Sequence, residues 1–269
     1  MADTINIAAI AMDIVWGNPE ANLIAAERLI DKLPENTDII VVPELFTTGF
    51  IQDETVLDEL SSSVYTDLTL QKVKAWARKS DSAVCGSFST DENGYIYNRA
   101  FFITPEGKSY FYDKRHLFLL SAENRIYTPG KEEIPVFSFR GWNISMMVCY
   151  DLRFPVWSRN RHHKYDMMIV PANWPTARGY AWEHLLIARA IENQAVYIGC
   201  DRGGHDDYGE YDGLIKILDA NGRPIQHVFN GTEERPVIVI ASPSLTDLQK
   251  ARRRLPVIES ADDFQLIIN

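Results

Sequence analysis

Short apolar runs that alternate with amphipathic stretches constrain the fold of this chain more than any other feature. Several of the runs are apolar on consecutive residues, which is typical of strands that are covered on both faces. The predicted strands are 5–11, 39–42, 83–87, 143–149, 167–170 and 195–200. The stretches 18–33, 65–80 and 181–194 repeat apolar residues at helical steps, so they are predicted to be helices that pack on a sheet.

Three turn sequences lie between apolar runs: Asn93-Gly94, Glu106-Gly107 and Asn221-Gly222. Pairs of this kind form tight turns, so part of the sheet is predicted to be antiparallel. The whole pattern indicates a layered α/β protein with a mixed sheet. Because the chain has no Pro/Ser/Gly-rich linker and no internal repeat, we expect one domain over residues 1–269.

The last segment, 244–269, is predicted to be a C-terminal tail that opens with a helix. Ser244 and Asp247 are spaced as a capping pair at its start, and the basic run 252–254 follows. This run is interpreted either as a solvated helix end or as part of an arm that reaches a partner subunit.

The overall composition argues against several classes of partner. Apolar residues make up 46% and charged residues 24% of the 269 residues, and the formal net charge is −10. These values are typical of a globular protein and disfavour nucleic acid or an anionic membrane as a partner. No apolar run approaches the roughly 18 residues that a membrane span needs. A small molecule is therefore the expected partner.

The N-terminus and the cysteines predict a cytoplasmic location. The first stretch has no basic leader and Asp13 interrupts its apolar residues, so we expect a strand there and not a signal peptide. Cys85, Cys149 and Cys200 are odd in number, widely spaced and without a C-x-x-C pair. This pattern favours a reducing compartment over disulfides or zinc. The histidines include no H-x-x-x-H pair, so no metal site is expected.

Three ionisable residues each follow an apolar run. Glu44 follows "DIIVVP", Lys114 follows "FYD", and Cys149 stands in "MMVCYDLRFP". Ligand sites in open α/β sheets form at the carboxyl ends of strands, so we expect the three side chains to converge. A thiol, a carboxylate and an ammonium in one pocket suffice for acyl transfer, as nucleophile, proton shuttle and oxyanion donor. The alternatives are a core cysteine, a solvent-facing glutamate and a surface lysine.

The residues after Cys149 add an expectation about the thiol. Pro155 suits the first turn of a helix, so Cys149 is predicted to lie at a strand-to-helix turn. Backbone N–H groups and the positive end of such a helix would lower the pKa of the thiol and favour the thiolate.

Three motifs of the chain resemble those of a known family. In this order, "VVPELF", "DKRHLF" and "VCYDLRFP" resemble the Glu, Lys and Cys signatures of the nitrilase, or carbon–nitrogen hydrolase, superfamily. The similarity extends over nearly the whole chain, and "DIVW" and "ANWP" are most similar to the omega-amidase branch. The resemblance implies a four-layer α-β-β-α sandwich with mixed sheets in a single domain. It also implies a homodimer that pairs through helices beside the active site, and a reaction without a cofactor.

The resemblance implies a role for each residue of the site. Cys149 is the expected nucleophile, which forms a thioester and releases ammonia. Glu44 is the expected proton shuttle, and Lys114 is expected to stabilise the oxyanion together with the backbone N–H of Tyr150. Glu123 lies where the family carries a second glutamate, and we expect it to orient Lys114 or the substrate.

The substrate-binding residues are predicted from the loops after two of the strands. Arg153, Trp174 and Arg178 stand where their side chains could line the mouth of the pocket. If the substrate is an omega-amide of a dicarboxylate, an arginine should hold its far carboxylate, and Arg178 is the preferred candidate. Arg153 is expected to tie down the Cys149 turn. Pocket shaping, packing and capping remain equal interpretations for Phe118, Tyr150 and Asp151.

The leading functional hypothesis is an omega-amidase. Its expected substrates are amides such as 2-oxoglutaramate or 2-oxosuccinamate, which give the 2-oxo dicarboxylate and ammonia. An N-carbamoyl amino acid hydrolase or a nitrilase would use the same nucleophile in a differently shaped pocket. A non-catalytic thiol sensor or binding protein is the alternative from another class. Glu44 and Lys114 argue against a sensor, which needs neither an acyl-transfer base nor an oxyanion donor.

Overall fold

The computed structural model describes residues 3–232 and 236–268, which form two β-sheets with helices on their outer faces. The strands are β1 Ile7–Ile10, β2 Ile39–Val41, β3 Ala83–Glu92, β4 Tyr95–Ile103, β5 Ser109–Asp113, β6 Val136–Phe139, β7 Trp142–Met146, β8 Met167–Ala172, β9 Val196–Asp201, β10 Gly203–Asp206, β11 Gly209–Asp212, β12 Lys216–Leu218, β13 His227–Gly231 and β14 Pro236–Ala241. The helices are α1 Pro19–Ile30, α2 Glu54–Leu60, α3 Ser63–Ser80, α4 Glu123–Ile126, α5 Gly179–Asn193 and α6 Leu245–Arg254.

The strand order explains how distant parts of the chain reach one edge. One sheet has the order β13-β14-β1-β2-β3-β4-β5, and the other has the order β12-β9-β8-β7-β6. Strands β1, β2 and β3 are mutually parallel, as are β7, β8 and β9, and the remaining pairs in these two sheets are antiparallel. Because β4 runs antiparallel to both β3 and β5, the carboxyl end of β5 lies at the same edge as those of β2 and β3. The mixed sheet predicted from sequence is confirmed.

Burial on both faces accounts for the continuous apolar runs. In β2, Ile39 and Val41 point into the core between the sheets, whereas Ile40 packs with residues of α1 and α3 on the outer face. On the other sheet, Trp182 and Leu186 of α5 belong to the cluster that covers β8 and β9. The order of layers is therefore α1 and α3, the seven-stranded sheet, the five-stranded sheet, and α5. This is the four-layer sandwich that the resemblance implied.

The predicted helices and turns differ from the structure mainly in their ends. Asn18 caps α1 by accepting a hydrogen bond from the backbone N of Ala21 at 3.1 Å, and Pro19 occupies the first turn. The predicted strand 83–87 continues to Glu92, because Asn93 (φ 58°) and Gly94 (φ 81°) form the hairpin to β4. Two predicted strands were too long: 5–11 is shortened at both ends to β1, and 143–149 ends at Met146 in β7.

The prediction that Pro155 begins a helix is wrong. A 3₁₀-helix spans Cys149–Arg153, and Pro155 comes after it. Phe154, directly before the proline, has an extended backbone (φ −110°, ψ 91°), as steric contact with the proline ring favours. Cys149 is therefore the first residue of a short 3₁₀-helix, and the predicted longer helix after it is not formed.

The C-terminal helix is anchored to the body by part of its basic run. Ser244 caps α6 by accepting from the backbone N of Asp247 at 3.1 Å, as predicted. Arg252 pairs with Asp166 at 2.7 Å, so this arginine does not fit the interpretation of a fully solvated helix end. The terminal residues of the predicted domain 1–269 and tail 244–269, namely 1, 2 and 269, lie outside the described residues. Within residues 3–232 and 236–268, no helix is long and apolar enough to cross a membrane.

Candidate active site

The carboxyl ends of β2, β5 and β7 meet at one cavity of about 320 Å³. Glu44, Lys114 and Cys149 all line it, so the structure brings together the three residues that the strand ends singled out. The other predicted pocket residues line the same cavity: Phe118, Tyr150, Arg153, Trp174 and Arg178. Glu123 lies behind Lys114, where it is fully buried.

The loop that carries Glu44 is held against the neighbouring strand. The backbone N of Leu45 donates to the Ser87 hydroxyl at 2.9 Å, and the backbone N of Phe46 donates to the Ser87 carbonyl at 3.1 Å. Leu45 is in the left-handed region, with φ 48°, so the chain turns sharply just after Glu44. This turn holds Glu44 in the interior, where only 1% of its surface is exposed, and the solvent-facing alternative is therefore wrong.

The Glu44 carboxylate is held by three donors. Its Oε1 accepts from Lys114 Nζ and from Asn98 Nδ2, each at 2.8 Å. Its Oε2 accepts from the backbone N of Asn173 at 2.8 Å. A buried carboxylate needs such partners, because desolvation disfavours its charged form. The donors come from β4, from the end of β5 and from the loop after β8, so both sheets fix this carboxylate.

Lys114 is a buried ammonium between two carboxylates. Its Nζ lies 2.7 Å from Glu123 Oε1 and 2.8 Å from Glu44 Oε1, and only 2% of the side chain is exposed. Burial lowers the pKa of Lys114, but the charges of Glu123 and Glu44 outweigh burial and hold this pKa well above its ordinary value. The surface-lysine alternative is therefore wrong, and the amine keeps its proton.

The backbone around Lys114 requires a glycine at a close approach. The backbone N of Gly130 donates to the Lys114 carbonyl at 2.9 Å. A Cβ at residue 130 would lie 2.0 Å from the carbonyl oxygen of Asp113, which no side chain could tolerate. Gly130 thus allows the segment after α4 to pack directly on the end of β5.

Glu123 opens the short helix α4 and has no exposed surface. Its Oε1 binds Lys114, and its Oε2 accepts from the backbone N of Phe118 at 2.6 Å. Burial raises the pKa of Glu123, and the Lys114 charge opposes this shift. These contacts orient Lys114 and tie the loop that carries Phe118, so the surface-glutamate interpretation does not apply.

Cys149 begins its 3₁₀-helix with a strained backbone, at φ 44°. A buried carboxylate stabilises this turn: Asp151 Oδ2 accepts from the backbone N of Val148 at 3.1 Å and from the Tyr112 hydroxyl at 2.8 Å. The backbone N of His116 donates to Asp151 Oδ1 at 2.9 Å. Asp151 is therefore a capping residue for the turn, which is one of the three interpretations left open from sequence.

Arg189, and not Arg153, ties down the end of this turn. Arg189 Nη2 donates to the carbonyl of Leu152 at 2.8 Å from its position in α5. Arg153 instead lines the cavity, where its guanidinium carbon lies 4.8 Å from the centroid of the Trp174 ring. The expected role of Arg153 in holding the turn is thus wrong, because its side chain points to the pocket.

The predicted direction of the Cys149 pKa shift is also wrong. Burial raises the pKa of the thiol well above its ordinary value, the Glu44 charge adds to this effect, and the Lys114 charge opposes it. A five-residue 3₁₀-helix offers little dipole to compensate for a neighbouring carboxylate. The Cys149 Sγ lies 4.0 Å from the Asn173 carbonyl oxygen. The thiol is thus protonated in the resting site and needs a base.

The mouth of the cavity carries two cations without carboxylate partners among the described residues. Arg178 is exposed, and its guanidinium carbon lies 5.1 Å from the Phe118 ring centroid. Arg153 is half-buried on Trp174. No salt bridge or side-chain hydrogen bond from either guanidinium is found within residues 3–232 and 236–268. Both are therefore available to an anion.

Sequence reasoning missed several residues of this site. Asn98 lies in β4 between Ile96 and Ala100, on the inward face, and a polar residue in such an alternation is a signal that could have been read. Asn173 acts through its backbone, which no side-chain pattern reveals. Tyr208 and Tyr211, from the β10–β11 hairpin, line the cavity without any sequence motif that points to them. In the described part of the chain, no group of three or more His, Cys, Asp or Glu residues could hold a metal ion.

Comparisons with known proteins agree over nearly the full length. The profile of the carbon–nitrogen hydrolase family matches residues 6–253. The omega-amidase YafV of Yersinia enterocolitica is 39% identical, over 98% of this chain and 99% of that protein. The 2-oxoglutaramate amidase of Bacillus subtilis is 34% identical, over 94% and 96% of the two chains.

Solved structures share the fold. XC1258 from Xanthomonas campestris, a CN-hydrolase superfamily protein with an arsenic adduct in its active site, superposes with a TM-score of 0.88 at 31% identity, over 98% of this chain and 100% of that one. Saccharomyces cerevisiae Nit3, of the nitrilase superfamily, superposes with a TM-score of 0.83 over 97% of both chains at 21% identity, which bears on the fold alone.

Proposed function

The chain belongs to the carbon–nitrogen hydrolase family, and on this basis we propose that it is an omega-amidase. In this proposal it hydrolyses the terminal amide of a small carboxylate-bearing substrate through a thioester on Cys149. One observation carries the proposal: a thiol faces a buried carboxylate and ammonium at the inner end of a cavity whose mouth holds two arginines without a carboxylate partner in the described chain. The names of the relatives from Yersinia enterocolitica and Bacillus subtilis support the same activity.

The first half-reaction forms the thioester. Cys149 Sγ attacks the amide carbonyl carbon, and Glu44 takes the thiol proton, which the raised thiol pKa makes necessary. The carbonyl oxygen becomes an oxyanion, stabilised by the Lys114 ammonium and by the Tyr150 N–H, which lies in the first turn of the 3₁₀-helix. The C–N bond then breaks, Glu44 returns the proton to nitrogen, and ammonia leaves.

The second half-reaction releases the acid. Glu44 removes a proton from water, the hydroxyl adds to the thioester carbonyl, and the C–S bond breaks with return of the proton to the Cys149 sulfur. Lys114 meets the second oxyanion in the same position. Because Glu44 alternates between charged and neutral forms, Glu123 supplies the permanent counter-charge that keeps Lys114 protonated through the cycle.

The mouth accounts for the class of substrate. Arg153 and Arg178 together bind the far carboxylate, and the aromatic rings beneath them hold the guanidinium planes in place. Glu44 is the one carboxylate that lines the cavity within the described chain, and it is already engaged. A substrate with an α-ammonium group would therefore find two cations and no free anion. This favours 2-oxo acid amides, such as 2-oxoglutaramate or 2-oxosuccinamate, over amino acid amides.

The site argues against the thiol-sensor alternative. Sensor thiols are solvent-accessible and have a lowered pKa, so that the thiolate meets an oxidant directly. Cys149 is 7% exposed, and burial raises the pKa of its thiol. A thiol that needs Glu44 as its base is suited to attack on a bound carbonyl.

We also propose a homodimer in the cytoplasm. Tyr180 (79% exposed), His184 and Ile191 (47% exposed) form an outward stripe on α5, and the rings of Tyr180 and His184 are stacked. A helix face of this kind fits a second copy of the same helix. Sedimentation should give a dimer that Tyr180→Glu converts to monomer. The three free cysteines support a reducing compartment.

The proposed function is tested with a substrate panel. The panel contains omega-amides of 2-oxo dicarboxylates, the matching amino acid amides, N-carbamoyl amino acids and nitriles, and ammonia release is followed. We expect the highest kcat/KM for the 2-oxo amides, and a loss of roughly 10⁴-fold or more in kcat for Cys149→Ala. Preferred turnover of carbamoyl compounds or nitriles would replace the omega-amidase proposal. Full activity of Cys149→Ala would remove this thiol from the mechanism.

A further inference from the structure

Asp201, at the end of β9, is a buried carboxyl group that the reaction steps above do not use. It has no exposed surface. Its Oδ1 accepts from the backbone N of Trp174 at 2.7 Å and from the backbone N of Arg202 at 2.9 Å. Its Oδ2 is buried and has no hydrogen-bond partner within the described part of the chain. An ionised oxygen in that situation would be costly, because it is buried away from bulk solvent and no donor of the described chain contacts it.

The neighbouring arginine does not neutralise Asp201. The Arg202 guanidinium is fully buried, but its Nη1 binds Asp206 at 2.8 Å and its Nη2 donates to the carbonyl of Ile14 at 3.0 Å. Arg202 meets Asp201 only through its backbone N–H, in the described structure. The carboxyl group of Asp201 is therefore buried next to a cation that is directed elsewhere.

Asp201 binds one of two successive backbone amides, and the other amide binds the proton shuttle. Two successive N–H groups bind two carboxyl groups: that of Asn173 donates to Glu44, and that of Trp174 donates to Asp201. The same segment places the Asn173 carbonyl 4.0 Å from the Cys149 sulfur. Two ionised carboxylates on adjacent amides would repel each other, whereas a neutral acid and a carboxylate would not.

We propose that Asp201 is a positioning residue that acts in its neutral acid form, with the proton on Oδ2, and holds the two-residue segment Asn173–Trp174 against Glu44 and the pocket. Asp201 thereby fixes the N–H that holds Glu44 without adding a second negative charge beside it. It also fixes Trp174, on which Arg153 rests. The inference deepens the proposed function and rests on it for its activity measurements only.

The surroundings of Asp201 agree with a neutral acid. Burial raises its pKa well above the ordinary value and the Glu44 charge raises it further, whereas the backbone hydrogen bonds and the Arg202 charge oppose this shift without outweighing it. The charged and titratable groups that act on it or are acted on by it are Glu44 from the loop after β2, Arg202 and Cys200 from its own segment, and Tyr211 from β11. Of these, Glu44 is the group whose charge changes in the proposed cycle.

The experiment compares Asp201→Asn, Asp201→Ala and a matched control, Asp166→Asn, in the full chain. Asparagine keeps the Oδ1 acceptor and resembles the neutral acid, so we expect kcat/KM within about threefold of wild type, with the acid limb of its pH profile unmoved. Alanine leaves the Trp174 N–H without its acceptor and should lower kcat/KM by about tenfold or more. Asp166 is ion-paired with Arg252 and does not line the cavity, so its variant should keep wild-type kinetics.

Difference infrared spectroscopy supplies a readout that does not need turnover. The wild-type minus Asp201→Asn spectrum should contain the carbonyl band of a neutral carboxylic acid, and the wild-type minus Asp166→Asn spectrum should lack it. Absence of the band for Asp201, or a shifted acid limb in Asp201→Asn, would overturn the proposal, because either marks an ionised carboxylate beside Glu44. If Asp201→Ala fails to fold, the infrared band and the acid limb of Asp201→Asn still test the proposal. A wild-type chain without amidase activity would sink the proposed function and leave the infrared test intact.

Discussion

The inner end and the mouth of the cavity differ in how their charged side chains are buried and paired. At the inner end, Glu44 and Lys114 are almost fully buried, and each is bound by at least two groups of the protein. At the mouth, Arg153 and Arg178 are partly or largely exposed and have no carboxylate partner in the described chain. A fixed, satisfied set of charges acts on a neutral reacting group without reorganising. Cations without a carboxylate partner are stabilised by an ion pair only when an anionic ligand binds.

This contrast separates chemistry from recognition. Changes at the inner end should reduce kcat, because its interactions strengthen as charge develops in the transition state. Changes at the mouth should raise KM, and only for substrates that carry a carboxylate. Substitutions at the inner end and at the mouth can each test this separation.

Among the changes that test this separation, Lys114→Gln has the largest expected effect. The variant loses the charged oxyanion donor, so kcat should fall by roughly 10²- to 10³-fold with little change in KM. Steady-state ammonia release measures this, with thermal unfolding as a check on folding. Lys216→Gln is the matched control, because Lys216 also pairs with a glutamate, Glu183 at 2.6 Å, but away from the cavity. A kcat of Lys114→Gln within tenfold of wild type would contradict the separation of chemistry from recognition.

An intermediate effect is expected at the mouth. Arg153→Ala should raise KM for carboxylate-bearing amides by roughly 10- to 100-fold, since a half-buried charged hydrogen bond is lost. Arg178→Ala should raise it by about 3- to 10-fold, because solvent screens the more exposed guanidinium. An uncharged amide of the same length is the internal control, and its KM should stay constant. Equal increases for both substrates would show that the arginines shape the pocket and do not read an anion.

The smallest expected effect concerns the pH dependence of thiol alkylation. A raised thiol pKa means that less thiolate is present at a given pH, so the rate of Cys149 labelling by iodoacetamide should still be rising at pH 9. Mass spectrometry of the labelled peptide gives this rate. Arg153→Ala should leave the profile unchanged, which sharpens the distinction between the two ends. A plateau below pH 8 would indicate a lowered thiol pKa and contradict burial as its main cause.

The sequence predicted much of the site because each key residue ends an apolar strand. Glu44, Lys114 and Cys149 could be brought together by one rule about the carboxyl ends of strands. The family resemblance added Glu123 and the second sheet. The apolar runs, which record burial on both faces of a strand, predicted only a layered α/β protein with a mixed sheet, and the order of the four layers came from the resemblance.

What the sequence could not predict depends on contacts between distant segments. The sign of the Cys149 pKa shift follows from its burial beside Glu44, which local pattern does not reveal. The choice between Arg189 and Arg153 as support for the turn depends on where α5 packs. Asn173 binds Glu44 through its backbone N–H, so its side-chain type could not predict this contact.

Two residues with left-handed backbones adjoin the proposed chemistry: Leu45, next to the shuttle, and Cys149, the nucleophile itself. Glycine occupies this conformation freely, whereas a residue with a Cβ is strained by roughly 1–2 kcal/mol. At position 149, glycine would suit the local backbone best, but only a residue such as cysteine can attack a carbonyl. Selection for stability alone would erode the nucleophile, so the strained cysteine persists only where selection maintains the reaction.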